Sequence, residues 1–180
     1  FEIADVCLTM LKKSLAFKLA RTEQFREMQR QVVKNCVVLT EHLHARGFRI
    51  PYGRTNTHLT NLDCKSVTAP DGTPLSGDQA ARLLDIAGIV VNRNTIPGDA
   101  SAANPSGIRL GTPWVTQRGL KEPEMVQLAD IIADLLHACS PYQLEGRKGD
   151  LTRAKVDFGV LEGARLRVRA LAEKAGIDYE

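Results

Sequence analysis

Apolar residues recur at alternating steps of three and four through Phe25, Met28, Val32, Cys36, Leu39 and Leu43. That stripe is one face of a helix over residues 23–45. Gly47 predicts its stop, because glycine accepts the left-handed backbone that follows a last helical turn. Ahead of it, Val6, Met10, Ala16 and Leu19 keep helical spacing across residues 3–20, interrupted by Lys12, Lys13 and Lys18 as solvated positions. Residues 48–50 read as a short strand, Pro51-Tyr52-Gly53 as a turn, and residues 58–64 as a strand with Leu59 and Leu62 apolar among polar neighbours. After the turn-rich stretch 69–74, Ser76-Gly77-Asp78-Gln79 forms a capping box, opening a helix that lasts through Ala87 and ends at Gly88. The β-branched run Ile89-Val90-Val91 and residues 108–111 predict two more strands. The loop between them, 94–106, has a length that in a compact domain is more often functional than incidental. Pro123 opens a helix striped by Met125, Ala129, Ile132, Leu136 and Cys139. A last helix over 151–175 follows from Leu151, Ala154, Phe158, Leu161, Val168 and Ala172.

This order gives an α+β class: a small, mainly antiparallel sheet covered by helices on one face, with an N-terminal helical arm. With 180 residues and 43% hydrophobic content the chain can bury an ordinary core. A net charge of +3, from 24 basic and 21 acidic residues, is too nearly balanced for a nucleic-acid footprint and fits a small anionic ligand better. Cys7, Cys36, Cys64 and Cys139 lie far apart in sequence, which reads as reduced thiols in a cytoplasmic protein and gives no zinc pattern. No run approaches the roughly 18 apolar residues of a membrane span. The start at Phe1, running straight into a helical pattern, is expected of a fragment, a processed product or a partial chain.

The chemistry concentrates in Asn92-Arg93-Asn94-Thr95-Ile96-Pro97-Gly98-Asp99 and in Ser106-Gly107-Ile108-Arg109-Leu110-Gly111-Thr112-Pro113. Arg109 on a strand, with Gly107 and Gly111 clearing room beside it, suits two-point contact with a carboxylate, and a structural ion pair is the competing reading. Asn94 could read the amide edge of a heterocycle or cap a turn, and Asp99 after Pro97-Gly98 reads as an Asx turn. His58 has no partner for nucleophilic catalysis, and His42 and His44 do not share a helix face. Trp114 reads as packing, and Arg165, Arg167 and Arg169 as solvated surface. From the residues alone the chain is a domain with an anion-binding arginine beside a ligand-sized loop.

Those two runs closely resemble serine hydroxymethyltransferase, a pyridoxal-phosphate family of fold type I. The likeness continues more weakly through Ala16-Phe17-Lys18, Gln31-Val32-Val33-Lys34-Asn35, His58-Leu59 and Thr116-Gln117-Arg118-Gly119 toward the C-terminal helix. It implies interconversion of serine and glycine, with a one-carbon unit passed to tetrahydrofolate. It also implies that Arg109 holds the substrate carboxylate, that Asn94 faces the folate, and that Ser101 lies in the loop bordering the same site. Residues 1–22 would be a connecting helix and 23–180 the C-terminal small domain of a homodimeric enzyme. The large domain that binds pyridoxal 5'-phosphate, and all catalytic residues, would lie outside this chain, since no Thr-x-x-His-Lys segment occurs in it. Trp114, Thr60 and Asn61 depart from the family pattern. The other readings are a non-catalytic binding module descended from that enzyme, and the small domain of another fold-type-I enzyme such as an aminotransferase. The Asn-x-Asn-Thr-x-Pro run argues against the aminotransferase.

Overall fold

Thr22 begins the longest helix by accepting a hydrogen bond from the Phe25 N–H (3.2 Å). That helix, α2, spans Glu23–Ala45 and ends at Gly47, whose φ of 92° lies in the left-handed region. The computed structural model describes residues 2–144 and 151–176. The remaining helices are α1 (Glu2–Ala20), α3 (Gly77–Ile86), α4 (Pro113–Gln117), α5 (Glu122–His137) and α6 (Phe158–Lys174). The capping box at Ser76 is fully formed.

Strands β1 (Leu59–Asp63), β2 (Asn92–Asn94) and β3 (Gly107–Gly111) make an antiparallel sheet in the order β1-β3-β2. A separate antiparallel ribbon joins β4 (Cys139–Leu144) to β5 (Leu151–Val156). The class is therefore α+β, as the sequence predicts. Side chains alternate across a strand, so Thr60, Leu62, Ile108 and Leu110 fall on one buried face. There they join the core of Leu39, Leu43, Leu84, Met125, Ile132 and Leu136 contributed by the helices, and Phe48 from the turn after α2. Each fully buried side chain of this size contributes about 1.5–3 kcal/mol.

Several boundaries differ from the sequence reading. Residues 151–156 form β5, not the start of the last helix. Asp157 caps α6 by accepting from the Val160 N–H (2.9 Å), which fixes its start at Phe158. The strand expected at 89–91 lies instead at Asn92–Asn94, where β3 supplies the pairing, and Val90 is exposed. Residues 48–50 reduce to a single bridge, Arg49 with Asp63. The short helix α4 and strand β4 were not anticipated. On α1, Met10, Leu11, Leu15, Phe17 and Leu19 are all more than half exposed. Among the described side chains, the apolar spacing of that helix is therefore not used by the core. Cys36, Cys64 and Cys139 are buried free thiols. Burial pushes all three up, Cys139 to about 11, which makes them poor nucleophiles. The side chain of Cys7 lies outside the described residues.

Candidate functional site

The register of the sheet sets the site. Arg109 on β3 stands directly opposite Asn61 on β1 and Asn92 on β2, so one row across the open face reads Asn61, Arg109, Asn92. Asn94 sits one step along β2 opposite Gly107, on the same face and diagonal to Arg109, which places the two Cβ atoms roughly 7 Å apart. The Arg109 guanidinium is exposed and has no ion pair or hydrogen bond among the described residues. Its two flanking asparagines offer no charge, and Asp63, diagonal to it on the same face, is paired with Arg49 at 2.7 Å, so the cation has no ion-pair partner among the described residues. Asn61 adds a buried Oδ1 without a donor.

Arg109 is held in place by a polar knot behind the sheet. Thr112 Oγ1 donates to the Val32 carbonyl (2.8 Å). Asn35 Nδ2 donates to Thr116 Oγ1 and to the Leu120 carbonyl, both at 2.8 Å. The scattered likenesses at residues 31–35 and 116–119 are thus a single structural feature, clamping the end of β3 to α2. Fully buried and satisfied, such a network specifies one arrangement.

The loop from β2 to β3 is closed by Asp99, whose side chain is nearly inaccessible. Its carboxylate accepts from the Ile96 N–H (3.0 Å), the Ser106 N–H (2.9 Å), the Ser106 hydroxyl and Lys65 Nζ (3.4 Å). Burial alone would raise its pKa, but these donors outweigh burial and hold it at about 2. The structural reading of Asp99 stands, with more partners than a simple Asx turn provides. A carboxyl whose pKa is depressed on folding stabilises above its unfolded value of 3.8, and that stability is lost as pH falls toward 2. The gap corresponds to about 2 kcal/mol. Asp99→Asn is therefore expected to lower the melting temperature at pH 7. It should also remove much of the acid sensitivity between pH 5 and 2 seen in the parent, as measured by thermal melts across that range.

Asn94 donates Nδ2 to the carbonyl of Thr95 (2.7 Å), leaving Oδ1 and one N–H open. Ser101 is exposed in the β2–β3 loop, and its hydroxyl accepts from the Ala103 N–H (3.1 Å), a local turn contact. The flanking glycines do not act as the sequence suggested. A Cβ on Gly107 would lie 2.4 Å from Ile96 Cγ2, so that glycine admits the loop rather than a ligand. Around Gly111 the contacts are ordinary, at 3.7 Å. Trp114 is exposed and stacks with Arg118, its ring centroid 4.7 Å from the guanidinium carbon, rather than packing inside. His58 is exposed and gives only its backbone carbonyl to the sheet edge. Asn61 and Asn92 were missed as neighbours of Arg109, because only the register brings them together.

The fold is thus a small α+β domain whose antiparallel sheet is clamped from behind and carries an arginine without a partner among the described residues on its open face. A model of the serine hydroxymethyltransferase family matches residues 7–132. Serine hydroxymethyltransferase of Bombyx mori is 46% identical over 117 residues, 65% of this chain and 24% of that protein. That of Cupriavidus necator is 46% identical over 125 residues, 69% of this chain and 29% of that protein. The Nitrosomonas europaea enzyme is 42% identical over 127 residues, with 70% and 29% covered. The chain belongs to the serine hydroxymethyltransferase family. It spans about a quarter of the length of these curated relatives. The family match ends at Ile132 inside α5, short of the C-terminal helix to which the sequence likeness was extended.

Proposed function

We propose that this chain is the C-terminal portion of a serine hydroxymethyltransferase, which interconverts serine and glycine and passes the one-carbon unit to tetrahydrofolate. Residues 1–22 act as the connecting helix and 23–180 as the small domain. The single observation that carries the reading is Arg109, without an ion-pair partner among the described residues, on the open face of a sheet in a chain of this family. Its guanidinium can bind the amino-acid carboxylate through two parallel N–H···O bonds, which fix both the position and the plane of that group. Holding a reactant in one orientation can be worth several powers of ten in rate. Asn94, with an open acceptor and donor, contributes to the folate side, and Ser101 borders it.

Pyridoxal phosphate supplies the electron sink in this family, and the described residues do not fit as its seat. The face that carries Arg109 holds Leu59, Asn61, Asp63, Asn92, Asn94 and two glycines, with no lysine to anchor the group. Lys65, nearby in sequence, is committed to Asp99. The lysine and the phosphate contacts therefore come from another portion of the enzyme, which the exposed apolar side of α1 would meet in a homodimer. No step of the reaction is assigned to residues of this chain beyond binding and orienting.

The chain expressed alone is expected neither to turn over serine nor to yield, after borohydride treatment with pyridoxal phosphate, a stoichiometric adduct on one lysine. Mass spectrometry of the digested product checks this, and a single fully modified lysine would sink the assignment. The module reading shares Arg109 but lacks a partner domain. Intact mass of the native protein with a pyridoxal-phosphate titration separates the two.

A further inference from the structure

A second feature lies on the other side of β2. Alternation sends Arg93 away from the face of Asn92 and Asn94, toward α3, where Nη1 meets Asp78 at 2.6 Å. There a cavity of about 480 Å³ opens between the start of α3, the end of the β2–β3 loop and the β4–β5 ribbon. Its walls include Lys65, Ser76, Gln79, Arg93, Thr152 and Arg153. The ribbon lies beyond the family match, so this cavity has a wall that the matched region does not supply.

Two groups in its lining are open to an anion. Gln79 is fixed by the capping box, because its Oε1 accepts from the Ser76 N–H at 3.0 Å. The amide cannot flip without turning its NH2 toward that donor, so Nε2 is the orphan, buried and without an acceptor. Such a group costs about 1–3 kcal/mol until something accepts from it. Arg153 donates only to the neighbouring Thr152 carbonyl (3.2 Å) and meets no carboxylate among the described residues. Lys65 and Arg93 are each paired, with Asp99 and Asp78, so among the described residues Arg153 is the cation of this lining without a carboxylate partner. An orphan buried donor and an exposed guanidinium without a carboxylate line one cavity, and an anionic oxygen acceptor satisfies them together.

We propose that this cavity binds a small oxyanion, the phosphate or carboxylate end of a metabolite, through Gln79 Nε2 and the Arg153 guanidinium. Both sources present the same acceptor oxygens, and titration tells them apart. The intact gene product is titrated with inorganic phosphate and with succinate, at ionic strength held constant by chloride, while its melting temperature is followed. Binding to the native state raises that temperature in a saturable way, by an amount set by ligand concentration over Kd. Saturation is expected with at least one anion, and the tighter of the two identifies the source. Gln79→Glu keeps the capping acceptor, since glutamate serves a capping box as well as glutamine, but removes the donor and adds a like charge. Arg153→Gln removes the guanidinium on an exposed strand, so it remains informative should the Gln79 variant fold poorly. Each variant is expected to weaken the midpoint by roughly tenfold or more, and Arg153→Gln, at an exposed position, keeps the ligand-free melting temperature near that of the parent. The proposal is overturned by the absence of a saturable rise with either anion up to about 20 mM. A midpoint unchanged in Arg153→Gln overturns it as well, since the anion would then be binding elsewhere.

Discussion

On the proposed reading, Arg109→Lys in the intact enzyme is expected to lower kcat/KM for serine by about 100- to 1,000-fold while the melting temperature stays that of the parent. The expected loss follows from chemistry that lysine cannot reproduce. A guanidinium offers two parallel donors matched to the two oxygens of a carboxylate, whereas an ammonium acts as a single rotatable point charge. Losing one charge-assisted hydrogen bond of this kind together with its orienting effect removes about 3 kcal/mol, which corresponds to the lower part of that range. The unchanged stability follows from geometry. Arg109 makes no ion pair or hydrogen bond among the described residues, so the fold loses nothing when its head group changes. A structural arginine would behave the opposite way, with a lower melting temperature and a modest kinetic effect. Turnover within a few-fold of the parent, or a marked fall in stability, would remove Arg109 from the role of carboxylate ligand.

The row beside Arg109 shows how far a sequence can be read. The arginine, the asparagine run and the loop were legible because their chemistry and spacing are local. Asn61 lies 48 positions away in sequence and becomes a neighbour only through the pairing Asn61 with Arg109. Register is a long-range property, and no window of residues contains it. Helices α2 and α3 were legible at both ends because caps and glycines are local signals. The β4–β5 ribbon was not: Leu151, Ala154 and Phe158 fit a helical step, and nothing within residues 151–156 declares a partner strand. The start of α6 could have been found from Asp157, an N-cap residue standing just before the helical run. Residues 89–91 mislead in the reverse direction. They have strand-forming side chains but no pairing, and β propensity reports how well a side chain fits a paired surface, not whether pairing exists.

The glycine whose substitution would disturb the site most is Gly77, far from the arginine in sequence and absent from any chemical motif. A Cβ added there would stand 2.2 Å from the Gly107 carbonyl oxygen, 2.9 Å from that of Pro105 and 3.0 Å from the Gly107 carbonyl carbon. All three are backbone atoms, so no side-chain rotation relieves the overlap. Gly77 also donates its N–H to the Pro105 carbonyl at 2.9 Å, which ties the first turn of α3 to the end of the β2–β3 loop. It cannot retreat into its own helix, because the capping box of Ser76 and Gln79 fixes that turn from both sides. Alanine is intrinsically better in a helix by about 1 kcal/mol, and this gain is too small to decide the outcome. Overpacking costs about 1–3 kcal/mol and the strained loop hydrogen bond about 1 more. Gly77→Ala is therefore expected to destabilise by about 1–3 kcal/mol, lowering the melting temperature by roughly 2–12 °C for a domain of this size. Gly111→Ala is the matched control on the same strand as Arg109. Its Cβ would meet His58 O and Pro113 Cδ at 3.7 Å, ordinary contact distances, so its melting temperature should stay within about 2 °C of the parent. Gly107 begins β3 two residues before Arg109, so the strain relieved by shifting it reaches the arginine through the strand. Gly77→Ala should then also raise KM for serine, while Gly111→Ala leaves stability almost unchanged. Equal melting temperatures for the two variants would mean that the α3 turn and β3 separate freely, and that the close approach at Gly77 does not hold the arginine strand in place.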